Sequence, residues 1–217
     1  MLIDLKLDGK TIIVIGGGSE GYRKTQSFVD SGAKIWVISK TFSIGIQKLN
    51  EAKKVALLQT EIQDAGAFVN SLNPKPDVLL AVTNEGKLNL ELVKAAKTAG
   101  CIVYSVDNPA FSDFILPAVA RVGEVKIAIS TSGKSPAMAK VLRERIEQMI
   151  TPEDLLEIQL QTHVRSILKD QVPDPKVRSK MLYEILNNDN IKQVLKEGKL
   201  CDAQELAMKL LQKKEAQ

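Results

Sequence analysis

Three glycines, Gly16, Gly18 and Gly21, stand at the spacing G-x-G-x-x-G in "VIGGGSEGYRK". They follow a β-branched run and precede a helical pattern, the context that gives this spacing its meaning. The first glycine permits a tight turn and the second lets the main chain approach a pyrophosphate. The third lets a helix sit close to the strand with its first amides facing the anion. A glycine-rich turn without a ligand is the plain alternative. In many folds of this kind an acid closes the second strand and takes the ribose hydroxyls. Here that strand ends "VISKTF", offering Ser39, Lys40 and Thr41. Lys40 suits either a 2′-phosphate, and hence NADP, or a solvated loop. Further on, "CIVYSVD" ends in Asp107, at the carboxyl edge where open α/β sheets bind ligands. Asp107 is either a proton acceptor or the first residue of a turn before "NPAF". A second loop, "ISTSGKSPAMAK", leads from a strand into a helix with Lys134 in the turn. Amides at a helix start plus a lysine make a second anion site, unless Ser135 only caps the helix and Gly133 only turns the chain.

Positioning these residues requires strands alternating with helices. "TIIVI", "KIWVIS", "VALLQTEI", "VLLAVT" and "CIVYSVD" read as five strands. "YRKTQSFVDSG", closed by Gly32, then "IGIQKLNEA", "DAGAFVNSL" and "KLNLELVKAAKTAG" read as the helices between them. Parallel strands need such crossovers, so the expectation is a Rossmann-type α/β fold, a doubly wound parallel sheet. After Asp107, "FILPAVARVGEVKIAIST" holds two strands around a Gly turn at Val122–Glu124, which should pair antiparallel. A helix capped by Ser135, with Pro136 first, follows. From Thr151 the chain reads as helices broken at "VPDPK", "NNDN" and Gly198, the last one opening on a capping box at Asp202. The expected division is a nucleotide-binding domain over 1–111, a small β-rich module over 112–150 and a helical C-terminal domain over 151–217. Trp36 and the methionines read as packing.

The chain has 217 residues, 44% apolar and 26% charged, which excludes a disordered class. A net charge of +4 does not call for nucleic acid, though it suits a polyanionic substrate. Cys101 and Cys201 lie far apart, and His163 has no companions, so neither a disulfide framework nor a metal site is expected. Acids in "MLIDLKLDGK" come too early for a signal peptide, and no apolar run reaches the ~20 residues a bilayer demands. A cytoplasmic protein that does not enter a membrane is the expectation.

Read together, "GKTIIVIGGGSEGYRK", "YSVDNPAFSDFILPAVARVGEVKIAIST" and "SGKSPAMAKVLRERIE" closely resemble the precorrin-2 dehydrogenase family, the sirohaem synthase module. The resemblance covers about the first 150 residues, in order. It implies NAD-dependent oxidation of precorrin-2 to sirohydrochlorin, with iron insertion as a further activity in some members. It implies dinucleotide contacts at Gly16, Gly17, Gly18, Ser19 and Glu20, at Ser39, Lys40 and Thr41, and at Thr83 with Asn84. Asp107 takes the place of the family's candidate acid/base, and Thr131 that of a hydroxyl in the second loop. The substrate would carry eight carboxylates, so Arg121, Lys134, Lys140 and Arg143 are candidate holders, the two guanidiniums favoured for their bidentate geometry. Phe114–Ile150 corresponds to the part by which the family forms homodimers. The chain departs from the family at Tyr104, where Asn is frequent, and at Glu20 and Gly21, where a small apolar residue and Ala are common. A non-catalytic dinucleotide-sensing domain is the reading from another class.

Overall fold

The structure, a computed structural model, describes residues 2–215. It divides into two compact units, one ending at Leu116 and the other beginning at Pro117. Each has its own logic.

In the first unit, β1 (Thr11–Ile15) is apolar at nearly every position because it is central and both its faces are covered. It pairs in parallel with β2 (Lys34–Ser39) and with β4 (Val78–Ala81). β3 (Ala56–Gln59) and β5 (Ile102–Ser105) are the edges, giving the order β3-β2-β1-β4-β5. The doubly wound parallel sheet is therefore as expected. Ile13, Ile15 and Leu79 pack on one face with residues of α3 (Ala65–Ser71) and α4 (Gly86–Thr98). Ile12, Val14, Val37 and Leu80 pack on the other with Phe28 and with Ile46 of α2 (Ile44–Glu51).

Three local expectations are corrected. The first helix, α1, spans Ser19–Gln26 rather than running from Tyr22 to Gly32. It stops early because Ser27 and Phe28 switch to bonds with the carbonyls of Lys24 and Thr25, which turns Phe28 into the core. Gly32, at φ +77°, instead carries the chain past the Asp8 side chain, where a Cβ would collide. Trp36, on the inner strand β2, is 41% exposed and is not core packing. β3 is also half its expected length.

In the second unit, β6 (Ala118–Val122) and β7 (Val125–Ile129) form the expected antiparallel hairpin around Gly123, at φ +55°. α5 (Pro136–Met149) begins at Ser135, whose hydroxyl accepts the Met138 amide, and it packs on β6. The rest is a bundle of α6 (Pro152–Gln171), α7 (Pro175–Leu186), α8 (Asp189–Lys196) and α9 (Leu200–Glu215). Leu160, Val164 and Leu168 lie four residues apart on α6 and meet Ala203, Ala207 and Leu211, similarly spaced on α9, in one core. The capping box sits at Thr151 with Asp154 and not at Asp202. α9 starts earlier because the Ala203 amide bonds to the Lys199 carbonyl, which leaves Asp202 inside the first turn.

Candidate active site

The glycine loop is fixed by its neighbours before any ligand is considered. Gly16 has φ +128°, and a Cβ there would meet the Val82 carbonyl oxygen at the end of β4. A Cβ on Gly17 would run into the Thr41 carbonyl and lie 2.8 Å from the Ser39 Cβ. The Gly16 amide donates to the Ile38 carbonyl, and the Gly17 carbonyl accepts from Ser43. One turn is thereby pressed against the ends of both β2 and β4. Gly21 is so close to the strand that a Cβ would strike the Gly16 carbonyl, so a relative with Ala there must set its helix further out.

Gly18 differs. It is the N-cap of α1 and has nothing within 4 Å of a Cβ position. Having no side chain, it caps none of the first-turn amides at the positive end of the helix. A helix start of this kind suits an anion. Ser19 is exposed there, while the Glu20 carboxylate turns back along its helix to Arg23 at 2.6 Å and Lys24 at 3.5 Å. The Arg23 hydrogen bond holds the Glu20 carboxyl below its ordinary pKa. Glu20 can thus offer a ligand its amide, while its side chain is committed elsewhere.

Around the loop, Lys40 is ion-paired with Glu61 at 2.6 Å and lies 3.9 Å from Glu85. The hydrogen bond to Glu61 raises the Lys40 pKa. Thr83 closes the β4–α4 loop by accepting the Glu85 amide on its hydroxyl, and Asn84 is exposed beside it. Asp107 stands past the end of β5, with Oδ1 accepting from the Ser105 hydroxyl at 2.7 Å. Burial raises its pKa, but hydrogen bonds from Ser105, from Asn89 and from the amides of 107 and 108 outweigh that and hold it below the ordinary carboxylate value.

Sequence reasoning missed three groups here. Asn89, fully buried, bonds to Thr83 through both atoms of its amide and helps hold Asp107 ionised; in the sequence it looks like an ordinary polar position of an amphipathic helix. Lys24 is buried, its ammonium 4.8 Å from the Tyr104 ring centre. Tyr104 in turn packs on Phe114, which accounts for an aromatic residue at this departure from the family pattern. Ser43 Oγ is buried without a hydrogen-bond partner among the described residues, next to the glycine loop.

The other candidates belong to the second unit. Thr131 is occupied locally, accepting the Ser135 amide and donating to its carbonyl. Ser132 and Gly133 have positive φ, and Lys134 is exposed on that turn. Arg121 is exposed on β6 directly across from Lys126, two cations paired side by side, a placement that favours an anion between them. Lys126 was not among the expected residues. Arg143 is engaged by Glu147 at 3.0 Å and Glu144 at 3.3 Å, and Lys140 pairs weakly with Glu144. The described residues contain no group of three or more His, Cys, Asp or Glu arranged to hold a metal ion, and no helix long and apolar enough to cross a membrane.

Sheet order, glycine turn and open helix start together define a dinucleotide-binding protein of the Rossmann type. Residues 3–118 match the family described as "Putative NAD(P)-binding", and residues 122–149 match "Sirohaem biosynthesis protein central". A precorrin-2 dehydrogenase of Methanosarcina barkeri is 32% identical over 86% of this chain and 83% of that protein. The chain belongs to the precorrin-2 dehydrogenase family. A siroheme synthase of Pseudomonas paraeruginosa is 28% identical over 92% of this chain, which spans only 42% of that longer protein. The solved structure of SirC, a precorrin-2 dehydrogenase, has the same fold, with a TM-score of 0.75 over 96% of this chain and 99% of its own at 20% identity.

Proposed function

We propose that this chain oxidises precorrin-2 to sirohydrochlorin with NAD as acceptor, with Asp107 taking the proton. The observation that carries this reading is a charged carboxylate at the same sheet edge as the glycine cradle, in a chain of this family. When bound, the nicotinamide supplies the hydride acceptor. The substrate loses one hydride and one proton, giving sirohydrochlorin, NADH and H⁺. Gly16, Gly17, Gly18, Ser19, Glu20 and Gly21 would hold the pyrophosphate through main chain, and Ser39–Thr41 with Thr83 and Asn84 the nucleosides. Asp107, held ionised by its neighbours, accepts the proton and passes it to water.

NAD is favoured over NADP because Lys40 is already matched by Glu61 and Glu85, so a 2′-phosphate would meet net negative charge. Substrate carboxylates would be met by Arg121, Lys126 and Lys134 beside Thr131. Arg143 would reach them only by leaving Glu147. Residues 1–111 would bind the dinucleotide, and 112–150 would join two copies into a homodimer.

The similarity to a siroheme synthase favours a second activity, insertion of iron(II) as a substrate. Both are tested by giving the purified protein anaerobic precorrin-2 with NAD or NADP, then iron(II), and following each product's absorbance. NADH formation that depends on precorrin-2 is the expected result. Dinucleotide binding without turnover would leave a sensing domain.

A further inference from the structure

Asn89 lies on α4 with none of its surface exposed. Its Oδ1 accepts from the Thr83 amide at 3.1 Å and the Thr83 hydroxyl at 2.7 Å. Its Nδ2 donates to the Thr83 carbonyl at 3.0 Å, and the side chain lies near enough to the Asp107 carboxylate to favour its ionised form. An amide has two N–H donors, so with one on Thr83 the second is left to turn toward Asp107. An independent feature places the carboxylate at the same spot: a Cβ on Gly86 would lie 2.8 Å from Asp107 Oδ2. The missing side chain of Gly86 therefore makes room for Asp107 against the first turn of α4, where the helix dipole favours an anion.

We infer that Asn89 is a positioning residue that sets the orientation of the Asp107 carboxylate and locks it to the β4–α4 loop through Thr83. This rests on the reading of Asp107 as proton acceptor. Only an amide meets the demand, because Oδ1 must accept twice while Nδ2 donates. Aspartate has the same shape but offers Asp107 a like charge, and leucine leaves the Thr83 groups buried and unpaired. The groups acting most strongly on Asp107 are Ser105, Asn89 and the amides of 107 and 108, all uncharged, so a charge placed at 89 would stand out.

The test uses the full-length protein as Asn89→Asp and as Gly86→Ala, which pushes on the carboxylate without touching Asn89. Both should lower kcat about tenfold to a hundredfold, the scale of an ångström-sized misplacement, and Gly86→Ala, which leaves the Thr83 bonds in place, should keep NAD affinity within about threefold. Asn89→Asp should also move the acid limb of the kcat/KM profile upward by about one pH unit or more, since a neighbouring carboxylate opposes ionisation. Carbon-13 NMR of the Asp107 carboxyl should show the same upward movement without any substrate. An unmoved Asp107 titration and acid limb in Asn89→Asp overturn the inference, even if that variant is less stable. If the wild-type protein does not oxidise precorrin-2, the activity reading fails, and the NMR titration alone upholds or overturns the control of Asp107 by Asn89.

Discussion

Asp107 has one oxygen bonded to the Ser105 hydroxyl and the other against the start of α4, so its position is set without any ligand. Its role separates a catalyst from a binding module. Asp107→Asn keeps the shape but cannot take the proton. Turnover should fall about a hundredfold or more, the usual scale for a positioned acid/base, with NAD affinity unchanged within a few-fold. Normal turnover at saturating NAD and substrate would make Asp107 a turn residue. Its lowered pKa also fixes a pH dependence. A carboxylate depressed in the folded state stabilises the fold fully above its unfolded pKa of about 3.9, and that contribution is lost as pH falls through the lower folded value. Wild-type kcat/KM, which reports the free enzyme, should therefore show no Asp107 limb above about pH 5. Gly18 offers a complementary probe. Because nothing lies near its Cβ position, Gly18→Asp should fold normally, yet its carboxylate would repel the pyrophosphate. Calorimetric titration should detect no NAD binding, and wild-type affinity in a folded Gly18→Asp protein would refute the cradle.

Among elements, the proposed preference for NAD rests on three strand ends: Lys40 after β2, Glu61 after β3 and Glu85 before α4. No single loop carries that pairing, which "VISKTF" alone does not disclose. Glu61 and Glu85 lie 21 and 45 positions beyond Lys40 in the chain and meet it only in the folded sheet. Replacing both acids by glutamine should free Lys40 and shift the NAD-to-NADP ratio of kcat/KM about tenfold toward NADP. Two exposed charges near a phosphate, screened by water and salt, suffice for a shift of that size. An unchanged ratio would show that the ribose binds elsewhere. The same contrast governs what the sequence discloses. Strands and capped helices were legible because β-branched runs, Ser135 and the glycine spacing act locally. The early end of α1, the start of α9 at Leu200 and the burial of Asn89 were not, because bonds to Lys24, Lys199 and Thr83 decide them. The β5 edge is a similar case: Asp113 accepts the Val103 amide and Ser112 the Ser105 amide, so side chains ten and seven residues away close the strand that carries Asp107.

At the scale of the whole molecule, apolar burial is uneven. The sheet has a core on each face, and the bundle of α6 to α9 has its own, but β6, β7 and α5 bury only Ala120 and Ala139. Met138 is 45% exposed on α5, and Val141, Leu142 and Ile146 are partly exposed. A hairpin and one helix with so little covered surface are not stable alone, since a small sheet needs an apolar face packed against something. With the helical bundle present in the same chain, Met138 still lies exposed and its three neighbours partly so. A second copy can supply the missing surface with two-fold symmetry, each hairpin and α5 covering its counterpart. Sedimentation at micromolar concentration should therefore give twice the 23.8 kDa chain mass. Met138→Asp should weaken association roughly tenfold or more, because a charge would be buried in an apolar interface, while the monomer, in which this side chain is exposed, should keep its fold. A wild-type protein that sediments only as a monomer at that concentration, or a Met138→Asp dimer of undiminished affinity, would rule out this face as the interface.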